Sequence, residues 1–218
     1  MSNELNGISE RMRELGLAAL AHANRHAVYW NNRNTKWAEL SIIQAAHAAE
    51  ILFKAKIAEK DYKLIFRNYS KLKDVSLEIL INDGKTIDWK DIPKELNKII
   101  DNALTVDENN QFIRFGYIRN SLQHFGIFDN SLEPSDEALR FIFGVIDPFI
   151  NRNWGLYAID FDEDEDPYRN IPGILLSRNI DFLVSPQLRE YRNNWENGRI
   201  DIYGPLFPKD QGDYMDYH

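Results

Sequence analysis

Residues 37–60 read WAELSIIQAAHAAEILFKAKIAEK. The stretch has no Gly or Pro and is rich in Ala, Leu, Glu and Lys, which lose little on entering a helix. It therefore predicts one unbroken helix from Trp37 to about Lys60, with the polar run Asn31 to Thr35 before it as loop and cap. Working outward, residues from about Ile8 to Ala27 predict a preceding helix. A third covers part of Asp61 to Ile81 and stops before the turn Asn82-Asp83-Gly84. Pro93 suits the first turn of a helix running to about Leu104. Asp107 to about Phe125 predicts the next helix, closed by Gly126, and Ser135 to Phe149 a last one, opened by a Ser135 cap two residues before Glu137. The expectation is a mainly α protein, an antiparallel helical bundle over residues 1–150. Beyond Phe149 the sequence turns aromatic, Pro-bearing and acidic. Residues 151–218 are expected to form an irregular extension packed on or flanking the bundle, with short strands at Gly155–Phe161 and Arg199–Tyr203.

The chain has 218 residues, 44% of them hydrophobic, enough for one substantial core. It contains no cysteine, which excludes disulfides, thiolate metal sites and a Cys nucleophile and fits a reducing, cytoplasmic setting. Met1 to Glu10 is polar, and no apolar run is long enough for a membrane span, so no membrane partner is expected. The net charge of −8 argues against generalised coating of nucleic acid. Residues 1–150 carry 19 basic and 21 acidic side chains and residues 151–218 carry 7 and 13, so most of the imbalance sits in the extension. Between Lys54 and Lys73 lie seven basic residues with only Glu59 and Asp61 as acids. That stretch could steer a phosphate backbone, or be an ordinary solvated helix face.

Projected at 100° per residue, Phe115, Ile118, Leu122 and Phe125 fall on one arc of the 107–125 helix, the stripe expected to face the core. A second, mixed face carries Ile113, Gly116, Tyr117, Asn120 and His124. Gly116 costs about 1 kcal/mol relative to alanine in mid-helix, so something is expected to pack closely there, either another subunit or a helix of the same chain. Asn120 and His124 are four apart and nearly in line, while Arg119 lies about 140° from His124. A two-fold dimer juxtaposing two copies of this helix would gather both Arg/His pairs around one cleft. Histidine serves as general acid or base near neutrality, and its place at the negative end of the helix dipole favours the protonated form. Arginine offers a permanent planar fork to phosphate oxygens. Asn120 would orient an imidazole or a phosphate oxygen.

The string Arg119-Asn120-Ser121-Leu122-Gln123-His124-Phe125 resembles the Arg-polar-x3-His signature of HEPN domains (higher eukaryotes and prokaryotes nucleotide-binding). His47-Ala48-Ala49-Glu50-Ile51-Leu52-Phe53-Lys54-Ala55, about seventy residues earlier, is similar to the early-helix segment of that family. Together the two segments cover about the first 150 residues. The resemblance implies a four- or five-helix bundle that dimerises and cleaves RNA by attack of the substrate 2′-hydroxyl on the adjacent phosphate, without a metal or other cofactor. It makes Arg119 and His124 the catalytic pair, supported by Asn120. It also implies a toxin–antitoxin, abortive-infection or other antiviral-defence setting, in which an antitoxin or defence-system protein would be a partner. In family members silenced by tyrosine nucleotidylation a tyrosine stands two residues after the histidine. Gly126 stands there in this chain, which argues against that control.

On the 37–60 helix Leu40, Ile43, His47, Glu50, Ile51 and Lys54 project to one side. The supporting trio His47, Glu50 and Lys54 has two readings: a local salt-bridge set, or a Glu50 that reaches Arg119 or His124 across the bundle and orients it. His22 and His26 have i, i+4 spacing, but no third ligand stands near them in sequence, so no metal site is assigned. The tail aromatics Trp154, Tyr157, Tyr168, Tyr191, Trp195 and Tyr203 could stack bases or simply pack. The acidic run from Asp160 to Asp166 is a solvated loop or a restraint competing with RNA for the basic 54–73 stretch. No phosphate loop, nucleophile elbow or paired-carboxylate signature is present. Two other classes stay open: a non-catalytic bundle that binds nucleotide or a partner protein, and a plain oligomerising helical protein.

Overall fold

A computed structural model describes residues 7–29, 31–72, 75–163 and 167–196. The protein is mainly helical. Its helices are α1 (Ile8–Val28), α2 (Trp37–Asp61), α3 (Leu77–Asp83), α4 (Ile92–Asn97), α5 (Val106–Phe125), α6 (Pro134–Phe141), α7 (Asp147–Trp154), α8 (Pro167–Ser177) and α9 (Pro186–Glu196). Among the described residues no strand forms, and only an isolated antiparallel bridge joins Phe66 to Thr86. No helix among them is long and apolar enough to cross a membrane.

The Gly- and Pro-free stretch behaves as its composition predicts, and α2 becomes the central element. Ala45, Ala48, Ala49, Leu52, Phe53 and Ile57 are fully buried, and α2 packs along α1 and against α4, α5 and α6. Alanines at 45, 46, 48 and 49 let neighbouring backbones approach. On α1 the matching concession is Gly16, where a Cβ would stand 2.7 Å from the Leu52 side chain. An aromatic stack fills the other flank, with Phe53 against Phe112 and Phe149, and Phe115 against Phe141.

Several elements depart from the sequence-based expectations. The third helix, expected over part of Asp61 to Ile81, is the short α3, and two 3₁₀ turns, Tyr62–Ile65 and Tyr69–Lys71, precede it. Here Arg67 N–H bonds to Lys85 C=O and Ile87 N–H to Ile65 C=O, so backbone groups pair across the chain instead of along a helix. Asn82 and Asp83 belong to α3 itself, and Gly84 follows it. The helix begun near Pro93 ends at Asn97, well short of Leu104; the Asn97 side chain accepts from Ala103 N–H and closes a loop. Ser135 does not cap the next helix. It lies inside α6, and the Glu133 carboxylate accepts from Asp136 N–H in its place. The expected continuous helix to Phe149 is broken by a wide π turn over Ile142–Ile146, and helical structure then continues to Trp154.

The strand expected at 155–161 is also replaced. Gly155 takes a left-handed conformation (φ 68°) that turns the chain out of α7, and Ala158–Asp160 makes a 3₁₀ turn with Ala158 and Ile159 fully buried. The strand expected at 199–203 lies outside the described residues. Ile159, Ile171, Leu175, Ile180 and Leu188 join the same hydrophobic cluster as α1, α2 and α5. Buried polar groups fasten this part of the chain. Asn24 Nδ2 donates to the carbonyls of Ala158 and Phe161. The fully buried Asp147 carboxylate accepts from Ala158 N–H at 2.7 Å and Leu183 N–H at 2.9 Å. Burial pushes the Asp147 pKa from 3.8 up to about 6, against the opposing pull of those two N–H groups.

Because the folded-state pKa is raised, the stability linked to Asp147 is fully present below pH 3.8 and is lost as pH rises through about 6. Urea unfolding of wild type and Asp147→Asn from pH 4 to 7.5 should show the wild type losing about 2 kcal/mol relative to the variant. Parallel curves would remove Asp147 as the titrating group.

Candidate functional site

The frame of the site is α5, and both its ends are fixed locally. At the start Thr105 and Glu108 form a reciprocal capping box, with Glu108 N–H to Thr105 Oγ1 at 3.1 Å and Thr105 N–H to Glu108 Oε2 at 2.8 Å. Arg152 of α7 grips the buried Glu108 carboxylate with two bonds of 2.8 Å. At the end Gly126 adopts a left-handed conformation (φ 64°), and its N–H closes on Leu122 C=O.

The buried side of α5 is rotated from the apolar arc read in the sequence. Phe112, Phe115 and Gly116 are buried and Ile118 and Leu122 partly so, but Phe125 is 75% exposed. The cause is Trp89, which enters beside Gly116 and stacks on Phe112 with ring centroids 4.0 Å apart. The close neighbour for which Gly116 makes room therefore comes from the same chain.

This rotation carries Arg119 to the inward side, with its side chain 18% exposed. Nη2 faces Glu50 Oε2 of α2 at 3.5 Å, Nη1 donates to Gln123 Oε1 at 3.1 Å, and Cζ stands 5.2 Å from the Trp89 ring centroid. Glu50 in turn accepts from Lys54 Nζ at 2.6 Å, and Lys54 also reaches Thr86 Oγ1 at 3.2 Å. Lys54 is only 7% exposed at its side chain. The local pair and the cross-helix contact are thus both present: Glu50 binds Lys54 and meets Arg119. His47 is exposed and takes no part.

Asn120 and His124 are exposed, and among the described residues neither has a hydrogen-bond partner; the His124 ring meets only Phe125, edge-on at 6.4 Å. Arg119 and His124 are therefore not in contact within one chain. The order around the helix is informative: with Arg119 at 0°, Gln123 lies at about 40°, Asn120 at about 100° and His124 at about 140°. The Gln123 bond draws the guanidinium toward the flank that bears the other two. Gln123 and Trp89 were not among the residues singled out from sequence. Gln123 was detectable as the i+4 neighbour of Arg119; Trp89, thirty residues away, left no signal except Gly116. Beside this flank, a shallow groove of about 250 Å³ is lined by Tyr117, Ser121, Phe128 and Asp129, among others.

Several of the remaining sequence features are engaged in packing or pairing within the chain. In the basic stretch Lys54 is buried on Glu50, Lys56 pairs with Glu59, Arg67 pairs with Asp88, and Lys63 lies over Tyr69; Lys73 lies outside the described residues. His22 Nδ1 bonds Glu163 Oε1 at 2.8 Å, and burial, then His22, lowers the pKa of His26. Among the described residues no group of three ligating side chains is placed to hold a metal. Asp160 accepts from Tyr168 and Ser185, so part of the acidic run is structural. Trp154 Nε1 donates to Glu59. Asp164 to Asp166, the Trp195 side chain and Tyr203 lie outside the described residues.

Removing the Glu50 carboxylate strands a buried ammonium. Glu50→Ala should destabilise the fold by about 2–3 kcal/mol, whereas Glu50→Leu combined with Lys54→Met should recover most of the loss. Thermal unfolding of the single and double variants checks this, and additive effects would show that the pair is not coupled. Compared with known proteins, the chain matches no protein-family model, no curated protein and no solved structure.

Proposed function

We propose that this protein is a metal-independent endoribonuclease of HEPN type, acting as a toxin or antiviral-defence effector from a helical bundle that works as a homodimer. The observation that carries the reading is the flank of α5 on which a guanidinium, tied by Gln123 and backed by Glu50, leads through Asn120 to an exposed imidazole. Two of the five guanidinium N–H groups are used by Gln123 and Glu50, and the rest can bind a phosphate. Arg119 clamps the scissile phosphate. His124 removes the proton from the attacking 2′-hydroxyl or returns one to the leaving 5′-oxygen, and Asn120 orients the phosphate. The P–O5′ bond breaks as the O2′–P bond forms, leaving a 2′,3′-cyclic phosphate and a 5′-hydroxyl. Arg119 and His124 point about 140° apart on one helix, so the reading requires two copies of α5. The exposure of Tyr117 (73%), Phe125 (75%) and Ile127 (61%) at its outer face supports a second copy there. An antitoxin or defence-system partner would restrain the activity.

One observation favours a second reading, a non-catalytic nucleotide- or protein-binding module: the Arg119 fork is already engaged within the chain. Single-turnover cleavage of labelled RNA in EDTA separates the two. The nuclease reading expects products ending in cyclic phosphate, a rate lowered about 10²–10⁴-fold in His124→Ala, and about 10²–10³-fold in Arg119→Ala. RNA retained but uncut by wild type would favour the binding module, and equal cutting by wild type and His124→Ala would sink the proposed mechanism.

A further inference from the structure

Trp89 sits in the short turn Trp89–Asp91 that precedes α4 and is 9% exposed. Its Nε1–H donates to the Phe112 carbonyl at 3.0 Å, and its ring lies parallel to that of Phe112, 5° from coplanar. Phe112, Gly116 and Arg119 follow one another along one side of α5, so the indole enters at Gly116 between the phenyl ring and the guanidinium. Gly116 is what admits it: a Cβ there would stand 2.4 Å from Trp89 Nε1 and 2.6 Å from Cδ1. Three residues before Trp89, Thr86 meets Lys54. Residues 86–89 therefore hold both ends of the Lys54–Glu50–Arg119 chain.

We propose that Trp89, admitted by Gly116, is the positioning residue that fixes the guanidinium plane of Arg119 and presents its remaining N–H groups as a preformed phosphate fork. The polar contacts alone do not fix that plane. The Glu50 contact at 3.5 Å is at the limit of a hydrogen bond, and Gln123 is itself a flexible, exposed side chain. An aromatic face beneath the cation restricts its rotation. The indole is in turn fixed by its bond to a helix carbonyl. The phosphate role rests on the nuclease reading above; the positioning of Arg119 does not.

The test uses the full chain labelled with ¹⁵N-arginine. The Arg119 Nε–Hε resonance, assigned by its loss in Arg119→Lys, should be displaced by the indole ring current. It should return to the position of solvent-exposed arginines in Trp89→Leu and in Gly116→Ala. The second variant removes no core side chain and decides the matter where Trp89→Leu does not fold. The single-turnover rate should fall about 10²-fold in Trp89→Leu, and adding Arg119→Ala should cost little more, since both changes disable one group. An unmoved resonance in folded variants overturns the proposal, as does a moved resonance with an unchanged cleavage rate. Wild type that cuts no RNA removes the nuclease reading alone, and the resonance then decides the positioning by itself.

Discussion

The structure around α5 depends on one buried ammonium. Lys54 points inward from the central helix and is almost wholly enclosed, and a charge so placed persists only with a close counter-ion and further acceptors. Glu50 supplies the counter-ion one turn away and Thr86 the extra acceptor. Once Oε1 of Glu50 is committed to Lys54, Oε2 is left facing α5, and that is where Arg119 stands. A local i, i+4 pair thereby becomes the bracket that ties α2 to α5. Beside the guanidinium lie the Trp89 ring and Gln123, whose Oε1 is its other acceptor.

How much of this was legible in the sequence depends on where the partner of each residue lies. The ends of α1, α2 and α5 fall within a residue of those read from the sequence because the signals are local: a Gly- and Pro-free run in α2, and Gly126 after α5. The Glu50–Lys54 pair was readable for the same reason. The inward side of α5 was not. The apolar arc counts Phe125 as core, and although a Glu50–Arg119 contact is one of two readings of Glu50, periodicity gives no sign that Arg119 lies on the buried side. The partners that set this side are distant: Glu50 lies 69 residues from Arg119 and Trp89 lies 23 residues from Phe112. Ser135 failed as a cap for a smaller reason: the helix starts two residues earlier, where the Glu133 carboxylate accepts from Asp136 N–H. The 155–161 segment reads as a strand in the sequence, but the Ala158 N–H and the Ala158 and Phe161 carbonyls are taken by Asp147 and Asn24, so these groups need no partner strand.

The rotation of α5 also divides the candidate residues by environment. Arg119 works from a half-dry seam between α2, α5 and the 86–89 segment, where its charge is weakly screened. Asn120 and His124 stand in water. Within one chain these environments stay apart, which is why the proposed shared site needs a second copy of α5. Arg119 and Lys54 share the single carboxylate of Glu50, so this ion chain keeps a net positive charge. In the proposed role, a phosphate entering beside Gln123 would add a second anion to a guanidinium that retains N–H groups beyond those given to Gln123 and Glu50, so binding need not break the Glu50 contact. In that role the cost of organising the fork would be met in folding rather than in binding, which is the condition under which a fixed charge lowers a barrier most.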